Sequence, residues 1–139
     1  MVWFMVVFVA AAAVAAPVPR IAVRQTESGS GFYFHGEGRR FFPCGFNHTR
    51  LSPGAHGWHA VFNVGMYQPE EMESVLSAMA ALHANVIRVW AWGVQNESGY
   101  THAGEDGKLN AAYMDNFMDF LRRAARHGIY VIAILDETP

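Results

Sequence analysis

The run Val86-Ile87-Arg88-Val89-Trp90-Ala91-Trp92 sets a single guanidinium in an otherwise apolar stretch. Along an extended strand side chains alternate, so Val86, Arg88, Trp90 and Trp92 share one face and Ile87, Val89 and Ala91 the other. A cation inside a buried strand is costly unless a carboxylate pairs with it. Asp136 and Glu137, at the end of another apolar run, are the candidate ion-pair partners within the sequence. A carboxylate from a later strand is the alternative. Such a pair either ties two strands together or belongs to a site. Trp90 and Trp92, with Trp58, offer flat apolar plates of the kind that stack on the C–H faces of sugar rings, although tryptophan is also a common core residue.

Other constellations carry less chemistry. Asp136 and Glu137 are adjacent and point to opposite faces of a strand, so they cannot act as a facing pair of carboxyls on one bond. His48, His56 and His59 lie in one loop, but they lack a rigid helix and a carboxylate to orient them on a metal. No metal site is expected. There is no G-x-G-x-x-G after the first strand, so no dinucleotide site is expected, and the sequence implies no cofactor. Cys44 is the single cysteine. It is expected to be a buried, inert thiol with no base beside it and no internal disulfide partner. Two sequons occur, Asn47-His48-Thr49 and Asn96-Glu97-Ser98.

The elements that would position these residues follow from periodicity. Residues 32–34, a turn at residues 35–38 and residues 39–46 form a β-hairpin. Its second arm runs on through Asn47 as the first core strand, with Pro43 its weak point. A helix starts near Pro69, where proline and two acidic residues suit a helix N-terminus, and ends near Ala84. Met72, Val75, Leu76, Met79 and Leu82 form its apolar stripe. Residues 86–92 make a second strand covered on both faces. A second helix spans residues 111–127, with Asn110 as N-cap, Gly128 at C′, and Met114, Phe117, Leu121 and Ala124 or Ala125 as its stripe. Arg122, Arg123, Arg126 and His127 suit the negative end of its dipole. Residues 129–135 form the third strand.

Strand, helix, strand, helix, strand argues for a parallel sheet with right-handed crossovers. The loops that enter strands are one residue each, Asn85 and Gly128. The loops that leave strands, residues 48–68 and 93–109, exceed the length of about 12–15 residues beyond which loops tend to be functional. All strand-to-helix loops of a parallel sheet lie at its carboxyl edge, where ligands bind.

Composition sets the frame. The chain has 139 residues and a net charge of −2, which gives no basic field for nucleic acid. Residues 1–16 carry no charged side chain and end in small residues before Pro17, the layout of a signal peptide cut after Ala15. The expected organisation is a signal peptide at residues 1–15, a linker at residues 16–31 and an α/β body at residues 32–139. The expected location is extracellular, with no stable membrane association after cleavage.

Phe41-Phe42-Pro43-Cys44-Gly45-Phe46-Asn47 resembles the first barrel strand of glycoside hydrolase family 5, where a Gly-x-Asn ends the strand. Asn85-Val86-Ile87-Arg88-Val89-Trp90 is similar to that family's second strand. Residues 124–132 resemble its passage from second helix to third strand. The resemblance covers roughly residues 32–136. It implies a partial (β/α)8 TIM barrel, incomplete here: an N-terminal β-hairpin, then strand, helix, strand, helix, strand. It implies a retaining glycosidase acting on β-linked polysaccharide such as mannan or glucan. The family's two catalytic glutamates end its fourth and seventh strands, so both would lie beyond Pro139 and the chain by itself would be inactive. Arg88 matches the arginine that orients and polarises the nucleophile. Asn47 and His48 match the end of the first strand, near the substrate, and Trp90 the cleft wall, with Trp92 beside it. The Asn47 sequon would then be buried.

Two other expectations compete. One is a non-catalytic carbohydrate-binding remnant that uses the tryptophan face. The other is a small complete α/β domain. Three parallel strands alone would leave edges and one face open to aggregation, and a barrel takes about 250 residues.

Overall fold

The computed structural model describes residues 18–27, 29–49, 59–91 and 108–135. Two three-stranded sheets and two helices make up a mixed α/β fold. The first sheet is antiparallel, with β1 (Ile21–Thr26), β2 (Gly29–Phe34) and β3 (Arg40–Phe41) in that order. The second is parallel, with β4 (Gly45–His48), β5 (Val86–Trp90) and β6 (Tyr130–Ile134) side by side. Helix α1 (Pro69–Ala81) joins β4 to β5 in chain order, and α2 (Ala111–Arg126) joins β5 to β6.

Both helices bury their apolar sides against one face of the parallel sheet. Ile87, Val89 and Ala91 from β5 and its end meet Met72, Leu76 and Met79 of α1 and Tyr113, Phe120 and Ala124 of α2 in one core. Alternation along the strand accounts for this, since every second residue of β5 is apolar and faces the helices. Phe62 sits at the centre, fully buried, with its ring 5.0 Å from Phe117, 5.2 Å from Phe120 and 6.0 Å from Tyr113. The Asn110 side chain caps α2, accepting hydrogen bonds from the N–H groups of Ala112 and Tyr113. Gly128 takes the expected left-handed conformation beyond that helix.

The structure departs from the sequence expectations at several points. The stretch assigned to a linker contains β1, which pairs along its whole length with β2. The arm expected to run unbroken from Arg39 to Asn47 is two strands in different sheets, β3 and β4, separated at Phe42–Cys44. Pro43 has no N–H for a ladder, and the chain changes sheet around it. Cys44 is exposed rather than buried, because it lies in that crossing segment. Leu82 is 69% exposed, since α1 ends before it. The buried stripe of α2 is Tyr113, Phe120 and Ala124, while Met114 and Phe117 pack against its margin. On β5 the face opposite the helices is only partly covered, and Ile132 beside it on β6 is 47% exposed.

The antiparallel sheet closes the amino end of that second face. The Phe41 ring packs edge-on against Tyr130 at 5.0 Å, and the Tyr130 hydroxyl donates to the Pro19 carbonyl at 2.6 Å. Between the sheets lies an apolar cavity of about 230 Å³ lined by Ile21, Phe32, Phe41, Pro43, Val86, Tyr130 and Ile132.

Candidate functional site

Register decides which side chains meet. In the parallel sheet Asn47 pairs with Arg88 and Arg88 with Ile132, so these three form one row on the face away from the helices. Gly45, Val86 and Tyr130 form the row before it, and Trp90 and Ile134 the row after it. At Gly45 the backbone runs against Val86, and a Cβ there would overlap the Val86 carbonyl. Glycine thus lets β4 approach β5 closely enough to set Asn47 beside Arg88.

The Asn47–Arg88 row borders a cleft of about 230 Å³, lined also by Pro43, Gly45, Phe46, Val86 and Ile132. Asn47 is exposed, contrary to the expectation of a buried sequon, because β4 is an edge strand among the described residues. Arg88 is half-buried. Its guanidinium carbon lies 4.4 Å from the Trp90 ring. Against the same indole stacks the His59 imidazole, at 4.3 Å between centroids and 16° between planes. His48 pairs with Val89 and Ala133, whose row faces the helices. By register it therefore lies on the opposite face from Asn47 and Arg88, at the carboxyl end of β4.

The other candidates fall differently. Trp92, Asp136 and Glu137, together with Trp58, His56 and the Asn96 sequon, lie outside the described residues. Among the described residues, no carboxylate stands within ion-pair distance of Arg88. No group of three metal-binding side chains occurs among them either.

The strongest electrostatics lie on the helix side. Glu73 of α1 accepts from Arg123 at 3.0 Å and Arg126 at 3.2 Å, and its other oxygen is 2.7 Å from His127 Nε2. Arg123 also donates to Asp119 at 2.6 Å, and the Tyr67 hydroxyl donates to the same Asp119 oxygen at 2.7 Å. His127, then Arg123, hold the Glu73 carboxyl below the ordinary carboxylate range. Burial, the largest influence on Asp119, pushes its carboxyl up, but Arg123 and Tyr67 together outweigh it and leave it lowered. Burial and the Asp119 contact push the Tyr67 hydroxyl well above the usual tyrosine value. These groups join α1 to α2. The cationic end of α2 looked in sequence like a dipole effect; Glu73 and Asp119 turn it into a network.

Sequence reasoning missed three residues that shape the site. His59 was weighed only as a metal ligand. Phe62 falls in the long loop of the sequence reading, although Ala60 and Val61 before it make a short apolar run that signals burial. Asn85 was read as a one-residue connection, and no local signal marks its side-chain contacts.

Chemically, the open face offers a guanidinium and a carboxamide side by side at a cleft, with an indole behind the guanidinium. That set can bind a carboxylate or sugar hydroxyls. Among the described residues it holds no carboxyl group.

No family model matches the sequence, and no curated protein matches it. The fold is similar to that of a solved glycoside hydrolase, with a TM-score of 0.51, 20% identity, and coverage of 81% of this chain and 24% of that one. It is similar also to a glycoside hydrolase family 5 structure from Bacteroides vulgatus ATCC 8482, with a TM-score of 0.50, 17% identity and the same 81% and 24% coverage. The chain thus spans about a quarter of the length of these structures. Over four-fifths of its own length it shares the fold of a segment of glycoside hydrolase structures, family 5 among them.

Proposed function

We propose that this chain forms the amino-terminal part of a (β/α)8 barrel belonging to a secreted, retaining glycoside hydrolase that acts on β-linked polysaccharide such as mannan or glucan. The observation that carries the reading is the Asn47–Arg88 row at a cleft on the face of the parallel sheet away from the helices. In a barrel this face is the interior, and the carboxyl ends of its strands bear the site.

Retaining hydrolysis takes two carboxyl groups about 5–5.5 Å apart, one as acid/base and one as nucleophile. In this reading both come from strands that the 139 residues do not contain, and Arg88 holds the nucleophile ionised and oriented through charge-assisted hydrogen bonds. Asn47 donates to or accepts from sugar hydroxyls beside it. The chain alone hydrolyses nothing.

The test begins with the full-length transcript. Its product is assayed for reducing ends released from mannan and glucan, with Arg88→Ala as the control. Hydrolysis that falls by about 10²-fold in the variant supports the reading, in line with the loss of one preorganised electrostatic contact. Undiminished activity in Arg88→Ala overturns it. Binding without hydrolysis by the full-length product replaces it with a carbohydrate-binding role.

A further inference from the structure

Among the described residues, Arg88 and His59 both lie against the Trp90 ring. Arg88, two residues earlier on the same face of β5, lays its guanidinium carbon 4.4 Å from the ring. His59 comes from a distant part of the chain and stacks on the ring at 4.3 Å and 16°. A near-parallel contact at that distance is face-on, and it restricts the rotation of the indole about its side-chain torsions.

His59 is itself well anchored. It is followed directly by Ala60, Val61 and Phe62, which are 0%, 2% and 0% exposed, and Phe62 is the centre of the core between the helices. The backbone position of His59 is thus held, on its carboxyl side, by the packing of α1 and α2. It is transmitted to the indole by stacking and to the guanidinium by the cation–π contact. No carboxylate among the described residues shares that task.

We propose that His59 is a positioning residue, which acts through Trp90 to hold the Arg88 guanidinium at the cleft beside Asn47. Trp90 is then a spacer between His59 and Arg88, rather than an open plate for a sugar ring. The role assigned to Arg88 rests on the glycoside hydrolase reading, but the stack does not. It stands or falls by the accessibility of Arg88 alone.

The experiment labels the 139-residue chain with phenylglyoxal, an arginine-selective dicarbonyl, at low protein concentration. Modification of each arginine is followed by peptide mass spectrometry, with Arg123 as internal reference. In His59→Ala and in Trp90→Ala, Arg88 is modified faster by roughly two- to fivefold, the range a partly exposed cation–π contact gives. His59→Phe, which keeps a flat ring, restores the wild-type rate, and Arg123 does not change. An Arg88 rate that is the same in wild type and His59→Ala overturns the proposal. So does a rise shared by Arg88 and Arg123, which marks general loosening. A wild-type chain in which all arginines react alike overturns it as well. If the labelling pattern holds while the full-length protein neither binds nor cleaves glycans, the stack stands and the functional reading falls.

Discussion

The Asn85 side chain is hydrogen-bonded to the segment in which the chain passes from one sheet to the other. Its Oδ1 accepts from the Cys44 N–H at 2.8 Å, and its Nδ2 donates to the Phe42 carbonyl at 2.9 Å. The Asn85 backbone adds a bond to the Cys44 carbonyl at 2.8 Å and accepts from Tyr130 N–H at 2.8 Å. One carboxamide thus replaces the ladder that Pro43 interrupts. Asn85→Ala removes both side-chain bonds and is expected to cost about 1–2 kcal/mol. Asn85→Asp keeps an acceptor for Cys44 and loses the donor to Phe42, so it falls between. Denaturant midpoints for the three proteins check the order.

The two helices end in the same way on different residues. Ala84 N–H reaches back to the Met79 carbonyl after α1, and Ile129 N–H to the Ala124 carbonyl after α2. The residue that turns the chain has φ of 59° at His83 and 70° at Gly128. Glycine adopts this conformation without the penalty a Cβ brings. His83→Gly is therefore expected to stabilise the chain by up to about 1 kcal/mol, and Gly128→Ala to destabilise it by a similar amount. Opposite shifts in melting temperature are the expected result.

The parts that were legible in the sequence share a physical cause. Asn110, Gly128 and the alternation of β5 are local signals, each set by the geometry of a few consecutive residues. The elements α1, β5, α2 and β6 follow from them, and so does the face on which Arg88 lies. What failed depended on partners far along the chain. Whether residues 39–47 are one strand or two is decided by Pro43 together with Asn85, more than forty positions away in contact. Phe62 is a core residue because α2 supplies Phe117 and Phe120 to receive it. His59 matters because Trp90 lies beneath it. Motif likeness gives the neighbourhood of His48, while the β4–β5 register gives its side.

The Glu73–Asp119 network makes the chain acid-sensitive. Both carboxyls are lowered in the folded chain, and both return to the ordinary range of about 4 on unfolding. Their contribution is therefore fully present above about pH 4 and is lost as pH falls through the lowered folded values. Asp119→Asn and Glu73→Gln should each lower stability at neutral pH and flatten its decline below about pH 4. The high hydroxyl value of Tyr67 works in the other direction, since its contribution is lost only on strongly alkaline titration. Unfolding midpoints measured from pH 7 down to pH 2 for wild type and the two variants test the acid limb. Parallel curves would dismiss it.

The parallel sheet also carries a liability. Ile132, in the Arg88 row, is 47% exposed, and Phe46, in the Ile87 row at the β4 edge, is 53% exposed. Among the described residues β4 and β6 are edge strands with an unpaired side. Apolar side chains next to an open strand edge favour pairing with another chain. The 139-residue chain should therefore self-associate as its concentration rises, and light scattering should show an apparent mass that grows with dilution reversed. Burying an exposed phenylalanine or isoleucine is worth about 1.5–3 kcal/mol, so Phe46→Ser with Ile132→Thr should move the onset of association to clearly higher concentration. Neither residue belongs to the buried core, so the melting temperature of the dilute chain should change little. A concentration-independent monomer in the wild type would show that these edges are already covered, and would remove the case for further strands pairing with them.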